Sequence, residues 1–284
     1  MLPRIIIYYT SDLHLLNKAH EQVCAKLIAD AWVQYFIDLQ SKEPDSLICL
    51  AGDICCSYTD TLSFVKRLDD SGVKGFFVMG NWEFDMNLEG DMKDTRPTER
   101  YPVLMERFRD VCKDNTSFKL LQTGVRYIEH GLTIIGDTGW RRTKTVNPKY
   151  GSESYYHKKW VAWANSVIDE GKPTLVITHH HMLKLVSGLS KFDLTDNLLN
   201  ERNNINIFGH LHGLGGFKGN NYVSTDIYLN GFSVLSRIEL SVVDGVLRVL
   251  EHSVAPPEEI YAVFIKLYKA RSRKVQGFCN ARGI

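Results

Sequence analysis

The chain has 284 residues, of which 44% are hydrophobic, and it carries 34 basic against 33 acidic side chains. This composition excludes disordered and fibrous proteins, and the length is ample to bury a core that holds a preformed site. The formal net charge of +1 gives no strong global field, so charge alone does not indicate nucleic-acid binding. No stretch resembles a linker, which favours a single domain over residues 1–284.

Neither a secretory signal nor a membrane span is predicted. The short apolar run near the N-terminus ends without the small-residue cleavage site of a signal peptide, and no segment approaches 18 uninterrupted apolar residues. The six cysteines follow neither a disulfide framework nor a C-x-x-C zinc pattern. A cytoplasmic location is the simplest interpretation, and the oligomeric state is left open.

Apolar runs rich in β-branched and aromatic residues alternate with amphipathic stretches in the first third of the chain. The pattern predicts strands at 4–10, 46–53 and 75–81. Helices are predicted between them, at about 18–40 and 61–70. This alternation is typical of an α/β domain.

The middle of the chain has a different pattern. The polar stretch 84–101 follows the third strand directly and predicts a long loop insertion beside the site that this strand end serves. Three closely spaced strands at 117–122, 125–130 and 132–138 indicate antiparallel pairing. A helix with core aromatic residues is predicted at 154–169.

The last part of the chain contains two more buried strands and a hairpin. The segments 174–181 and 204–213 each begin as apolar strands and end in histidines. Residues 231–252 form a predicted hairpin with a turn at Asp244-Gly245. A basic C-terminal helix or tail is predicted at about 257–284.

Side chains that bind metals follow directly after five of the predicted strands. They are Asp12, His14, Asp53, Asn81, His179, His180, His181, His210 and His212. In an open α/β sheet, ligands bind beyond the carboxyl ends of the strands, so five segments bring these residues to one edge. Each motif alone has an ordinary structural interpretation, but their joint convergence indicates a metal site.

The residue types at this edge suit particular metals and a particular reaction. Imidazoles, an amide and carboxylates without a thiolate favour Mn²⁺, Fe or Zn²⁺ over Ca²⁺. Seven such residues supply two ions with four protein ligands each if one carboxylate bridges. Two ions about 3.5–4 Å apart hold a hydroxide between them and clamp phosphoryl oxygens during an in-line attack. The pattern therefore indicates a hydrolase that acts on phosphate esters.

Five motifs, taken in order, resemble the calcineurin-like metallophosphoesterase superfamily. They are "SDLH" (11–14), "AGDI" (51–54), "GNWE" (80–83), "THHH" (178–181) and "GHLHG" (209–213). The resemblance covers Ile5 to about His252. It implies a four-layer α-β-β-α sandwich whose two facing mixed sheets hold a dinuclear metal site at their strand ends.

The resemblance also implies a role for each motif residue. The first metal would be bound by Asp12, His14, Asp53 and His212. Asp53 would bridge to the second metal, which would be completed by Asn81, His179 and His210. His179 is preferred over His180 because it directly follows the apolar strand, although one sequence leaves both open. The candidate catalytic residues are Asn81 and His180, and Glu83 is a further candidate for orienting ligands by hydrogen bonds.

The third motif departs from the superfamily at Trp82. Many members read Gly-Asn-His there, and that histidine is credited with protonating the leaving group, which an indole cannot do. Three interpretations are open: a substrate whose leaving group needs little protonation, another acid such as His130 or His157, or lost catalysis. The indole itself has two candidate uses, stacking on a base or aromatic leaving group and packing against the 84–101 loop.

The sequence therefore predicts a metal-dependent phosphoesterase that favours phosphodiesters, including nucleotide esters. Two divalent ions are expected, Mn²⁺ first and Fe or Zn²⁺ as alternatives. A catalytically weak or inactive scaffold that acts through protein interaction is the alternative from another class. The basic stretch 261–284 makes a nuclease a third candidate, although nucleic acid is not favoured because cationic helix ends are common.

Overall fold

A computed structural model of the chain describes residues 4–16, 22–85, 97–139, 153–180, 203–210, 216–218, 221–223, 235–255, 262–263 and 265–266. The strands are β1 Arg4–Thr10, β2 Leu47–Ala51, β3 Gly75–Val78, β4 Phe118–Leu120, β5 Tyr127–Glu129, β6 Leu132–Asp137, β7 Thr174–Thr178, β8 Asn204–Phe208, β9 Gly216–Lys218, β10 Asn221–Val223, β11 Leu235–Val243 and β12 Val246–Ala255. The helices are α1 Gln22–Lys42, α2 Tyr58–Asp70, α3 Trp82–Asp85, α4 Pro97–Cys112 and α5 Glu153–Ile168.

The strands form two mixed sheets of six strands each. The first sheet has the order β12-β11-β1-β2-β3-β4, and the second has the order β5-β6-β7-β8-β10-β9. In the first sheet β1 to β4 are parallel, and in the second β6, β7, β8 and β10 are parallel. The predicted motifs follow the carboxyl ends of five of these parallel strands, β1, β2, β3, β7 and β8.

Apolar side chains cover both faces of each sheet. One core cluster takes alternate residues from the facing sheets, for example Ile7, Cys49, Ile134 and Ile177, so the two sheets pack directly against each other. A second cluster packs residues of α1, α2 and α4 on the outer face of the first sheet. A third packs α5, through Trp160, on the second sheet. The layers are therefore α-β-β-α, which confirms the predicted fold class.

Local sequence explains where the well-defined elements begin and turn. Ser57 begins α2 as its N-cap, where its side chain accepts a hydrogen bond from the backbone N–H of Asp60. The β11–β12 hairpin turns at Asp244 and Gly245, whose φ angles of 52° and 75° fit a two-residue type I′ turn. The predicted strands in the first third and the predicted hairpin are confirmed.

Two predictions about the middle of the chain were wrong in part. β4 pairs parallel with β3 in the first sheet, whereas β5 and β6 do form the predicted antiparallel pair in the second. The segment predicted as a loop at 84–101 contributes its ends to α3 and α4, and residues 86–96 lie outside the described residues. A helix beginning at Pro97 is expected physically, because proline at the first helical position loses no hydrogen bond.

The C-terminal prediction is covered only in small part. Of the segment 257–284, the structure describes residues 262–263 and 265–266, which are helical, and Val263 and Ile265 pack against the first sheet's outer core. Among the described helices, none combines the length and apolar character needed to cross a bilayer.

Candidate metal centre

The predicted ligands that the structure describes lie at one edge of the two sheets. Asp12 and His14 follow β1, Asp53 follows β2, and Asn81 follows β3, all in the first sheet. His179 and His180 follow β7, and His210 follows β8, in the second sheet. A contact between the two sheets at this edge is the approach of His179 Nδ1 to the carbonyl oxygen of Ala51, at 2.9 Å. His181 and His212 lie outside the described residues.

One cluster of donor atoms surrounds the Nε2 atom of His179. It lies 3.1 Å from Asn81 Oδ1, 3.2 Å from His210 Nδ1 and 3.4 Å from Asp53 Oδ2. Ligand atoms that share one ion at bond lengths near 2.1 Å lie about 3.0–3.4 Å apart, so this spacing fits a single metal. The four side chains are the group that sequence assigned to the second metal.

The tautomer of His179 is set by Ala51, the last residue of β2 in the first sheet. Because a carbonyl oxygen only accepts hydrogen bonds, Nδ1 must donate to Ala51, which leaves Nε2 without a proton in the neutral ring. Burial would lower the pKa of His179, but the nearby Asp53 and Asp12 carboxylates outweigh it and raise the pKa to about 9. The same negative field that holds a proton on this ring favours a cation in its place.

A second cluster joins the two loops that follow β1 and β2. Asp12, His14 and Asp53 each offer one ligand atom, and these atoms lie within 4.8 Å of one another. The backbone N–H of His210 donates to Asp12 Oδ2 at 2.9 Å, so Asp12 also ties the two clusters together. Asp53 therefore belongs to both groups.

The backbone at four of these residues is left-handed. The φ angles are 53° at Asp12, 44° at His14, 50° at Asp53 and 66° at His210. Residues with a Cβ rarely adopt this region, and such strain persists only where surrounding contacts enforce it. Four strained residues with metal-binding side chains at one edge support a functional role for the edge.

Glu83 connects three segments around the two clusters. Its fully buried carboxylate accepts hydrogen bonds from the N–H of Ile54 at 2.7 Å, from the N–H of Gly80 at 2.8 Å and from Thr61 Oγ1 at 3.1 Å. Burial, with a further contribution from the Asp53 charge, raises the pKa of Glu83 to about 7. The carboxylate holds the loops that carry Asp53 and Asn81 at a fixed separation.

His180 lies beside His179 and His210, and its hydrogen bonds go to another neighbour, Thr138. Its backbone N–H donates to the carbonyl oxygen of Thr138 at 2.9 Å, and its Nδ1 lies 3.1 Å from the same oxygen. The ligand nitrogens of His179, His180 and His210 lie within 4.8 Å of one another. His179, however, is the histidine whose Nε2 atom lies within hydrogen-bonding distance of Asn81 Oδ1.

Trp82 contacts two residues of the Asp12–His14–Asp53 cluster. Its backbone N–H donates to Asp53 Oδ1 at 2.8 Å. Its indole ring meets the imidazole of His14 edge-on, with centroids 4.5 Å apart and an interplanar angle of 61°. Residues 86–96, in the segment proposed as the other neighbour of this side chain, lie outside the described residues.

The two alternative acids lie in different places. His130 occupies the turn before β6, at the opposite end of the sheet from His179, so it is too distant to serve this edge. His157 is fully buried on α5. His130 is excluded by its position, and His157 has no exposed surface from which to reach a substrate in this structure.

Sequence reasoning missed two contributors. Ser11 donates its hydroxyl hydrogen bond to Asp12 Oδ2, and Thr61 binds Glu83 from the first turn of α2. Ser11 was visible as the first residue of "SDLH". Thr61 gave no signal, because its position depends on how α2 docks against the site.

The chain is similar to one known protein family and to several solved structures. A family model described as calcineurin-like phosphoesterase matches residues 5–214. Among solved structures, the calcineurin-like phosphoesterase YfkN of Bacillus subtilis is 15% identical, with 95% of this chain and 98% of that chain covered and a TM-score of 0.49. The phosphopantetheinyl hydrolase PptH of Mycobacterium tuberculosis is 15% identical, with coverages of 78% and 88% and a TM-score of 0.49. A dimetal phosphatase of Danio rerio is 12% identical, with coverages of 88% and 98% and a TM-score of 0.47. No curated protein matches.

Proposed function

Because the chain belongs to the calcineurin-like phosphoesterase family, we propose that it is a metal-dependent phosphoesterase with a dinuclear site. The observation that carries the proposal is the convergence of Asp53, Asn81 and His210 donor atoms within 3.4 Å of His179 Nε2. The distances suit one ion, and the adjoining Asp12–His14–Asp53 cluster suits another.

The residues divide into two ligand sets that share Asp53. Asp12, His14 and Asp53, with His212, would hold the first ion, and Asp53, Asn81, His179 and His210 would hold the second. Nitrogen and oxygen donors without a thiolate favour Mn²⁺, with Fe or Zn²⁺ as alternatives. The Cys56 thiol, 3.5 Å from the His14 carbonyl oxygen, does not change this, because burial raises the pKa of Cys56 to about 12 and keeps it protonated.

The chain's own groups orient this chemistry. Divalent ions held there would supply Lewis-acid stabilisation of phosphoryl oxygens and would lower the pKa of an attacking water. The Ala51 carbonyl presents His179 Nε2 to the ion, and Glu83 fixes the loops on either side. Asn81 offers its amide oxygen as a ligand and its amide N–H₂ as a donor toward a bound phosphoryl group.

The absence of a titratable group at Trp82 favours phosphodiesters over monoesters of poor leaving groups. A positioned general acid contributes about 10²–10⁴-fold, and that contribution is most needed when the leaving group is a strong base. Aryl diesters, whose phenolate leaving groups are weak bases, lose least when it is missing. We therefore expect turnover to be highest on aryl diesters and to fall as the leaving group becomes more basic.

The test measures hydrolysis of bis-p-nitrophenyl phosphate and p-nitrophenyl phosphate by metal-stripped protein, with and without Mn²⁺. Asp53→Asn should lower Mn²⁺-dependent turnover by more than about 100-fold, because one carboxylate serves both ions. Asp244→Asn makes the same change in the β11–β12 turn and should leave turnover intact. Equal turnover in wild type and Asp53→Asn would contradict the proposal.

The competing function is a scaffold that binds metals or partners without turnover, and Trp82 in place of an acid favours it. Two bound Mn²⁺ ions per chain with no hydrolysis of either ester would support the scaffold. Mn²⁺-dependent hydrolysis that Asp53→Asn removes would exclude it. A salt-sensitive cleavage of single-stranded DNA would instead indicate the nuclease.

A further inference from the structure

Trp82 touches two of the three described residues assigned to the first ion. Its backbone N–H donates to Asp53 Oδ1 at 2.8 Å, a contact that any residue except proline can make. Its indole ring lies edge-on to the His14 imidazole at a centroid distance of 4.5 Å, a contact that only an aromatic side chain can make. The identity of the side chain therefore matters for His14 and not for Asp53.

The backbone of His14 is already fixed, so its ring orientation is what remains to be set. Its N–H donates to the Asp53 carbonyl oxygen at 3.0 Å, its φ angle is 44°, and both ring nitrogens are buried. An imidazole binds a metal only when one nitrogen points at the ion, and neighbouring groups usually impose that orientation. Edge-to-face aromatic contacts restrict ring rotation at centroid distances of about 4.5–7 Å.

We propose that Trp82 is a positioning residue whose indole holds the His14 imidazole in the orientation that binds the first metal. The proposal rests on the proposed function, since it requires an ion at Asp12, His14 and Asp53. It also gives the indole a use at a position from which no proton can be delivered.

The test is Mn²⁺ binding to metal-stripped protein, measured by titration calorimetry, with unbound Mn²⁺ counted by electron paramagnetic resonance. Trp82→Ala should lower the affinity for one of the two Mn²⁺ ions by about tenfold and leave the affinity for the other unchanged. Mutation of a residue that orients a metal ligand typically costs about 10–100-fold in metal affinity. Trp82→Phe keeps an aromatic edge against His14 and should restore most of the loss.

Trp163→Ala is the matched control. Trp163 is another half-buried tryptophan, which packs beside Trp160 on α5 at a centroid distance of 5.6 Å, on the far side of the second sheet. Its loss should lower thermal stability without changing the affinity of either ion. The control separates a general packing defect from an effect transmitted through His14.

Two outcomes would overturn the inference while leaving the phosphoesterase proposal intact. One is Trp82→Ala with two unchanged Mn²⁺ affinities and a raised KM, which would mean that the indole contacts substrate. The other is unchanged affinities with only a lower melting temperature, which would mean that Trp82 is packing alone. If the wild-type protein bound no Mn²⁺, the proposed function would fail together with the inference.

Discussion

Left-handed backbone occurs at both ends of the sheets, and the two ends use it differently. At the hairpin end, His130-Gly131 and Asp244-Gly245 have φ angles between 52° and 80° in two-residue turns. Type I′ turns require this conformation at both central residues, so the need is local. At the site end, no turn rule places Asp12 or Asp53 in the same region.

The site end is held by contacts between distant segments. The N–H of Asp12 donates to the Gly52 carbonyl oxygen at 3.0 Å, and the N–H of His210 donates to Asp12 Oδ2 at 2.9 Å, across 198 positions of sequence. Strain there is maintained by tertiary structure, as is common at functional sites. Left-handed residues at the hairpins therefore follow from local sequence, whereas those at the site follow from the assembled fold.

Glycine-to-alanine substitutions should give the largest difference in Mn²⁺ binding between the site end and the hairpin end. A Cβ added at Gly80 would lie 2.0 Å from Asp53 Oδ1 and 2.3 Å from Asp53 N, whereas one added at Gly131 would meet nothing within 4 Å. Gly80→Ala should abolish Mn²⁺ binding and lower the free energy of unfolding by about 3 kcal/mol. Titration calorimetry and urea unfolding measure the two effects.

Gly131→Ala is the control at the hairpin end. The substitution places alanine at a φ of 80°, which costs about 1–2 kcal/mol of backbone strain but no contact with the site. Mn²⁺ binding should be unchanged. Similar Mn²⁺ affinities in the two variants would contradict the distinction between the ends.

Metal removal should affect the two ends unequally. At a free Mn²⁺ concentration 100 times the dissociation constant, one bound ion stabilises the folded chain by about 2.7 kcal/mol. Amide hydrogen exchange should slow in the loops around Asp12 and Asp53 when Mn²⁺ is added. The β5–β6 and β11–β12 turns open by local fraying and should exchange at the same rate, and uniform slowing would argue against a localised site.

Much of the fold was predictable because the parallel strands are short apolar runs with polar residues at their ends. The sheet that a short strand joins was not predictable. The three residues of β4 are compatible with pairing to β3 or to β5, and tertiary packing decides between them. The helix α4 was missed although its signal was present. Tyr101, Leu104, Met105, Phe108 and Cys112 are buried at helical spacing, but the polar residues and two prolines around them resemble a loop.

The candidate site divides in the same way. The donor residues could be named from sequence, because strand ends meet at one edge regardless of details. Their orientation could not. The Ala51 carbonyl that sets the His179 tautomer lies 128 positions away, and the His14 neighbour of Trp82 belongs to another strand end. Such pairings depend on register and on the separation of the sheets.

A buried carboxylate at the site end should matter more than an exposed one at the hairpin end. The Glu83 carboxylate accepts hydrogen bonds from the backbone N–H groups of Ile54 and Gly80, and Glu83→Gln would place an amide N–H₂ against at least one of these donors. The free energy of unfolding should fall by about 1–3 kcal/mol, with weaker Mn²⁺ binding. Glu129→Gln removes only the partly exposed ion pair with Lys119 and should cost less than about 1 kcal/mol. Equal costs in urea unfolding would contradict this.

The smallest expected effect is at His130, where a substitution should raise the free energy of unfolding instead of lowering it. Asparagine followed by glycine is the preferred pair for a type I′ turn, so His130→Asn should raise the free energy of unfolding by a few tenths of a kcal/mol. Turnover of both p-nitrophenyl esters should be unchanged, because His130 precedes β6, whereas His179 and Asp53 follow the opposite ends of their strands. A loss of Mn²⁺-dependent turnover in this variant, with normal metal binding, would mean that the hairpin end supplies the missing proton. The distinction between the hairpin end and the site end would then fail.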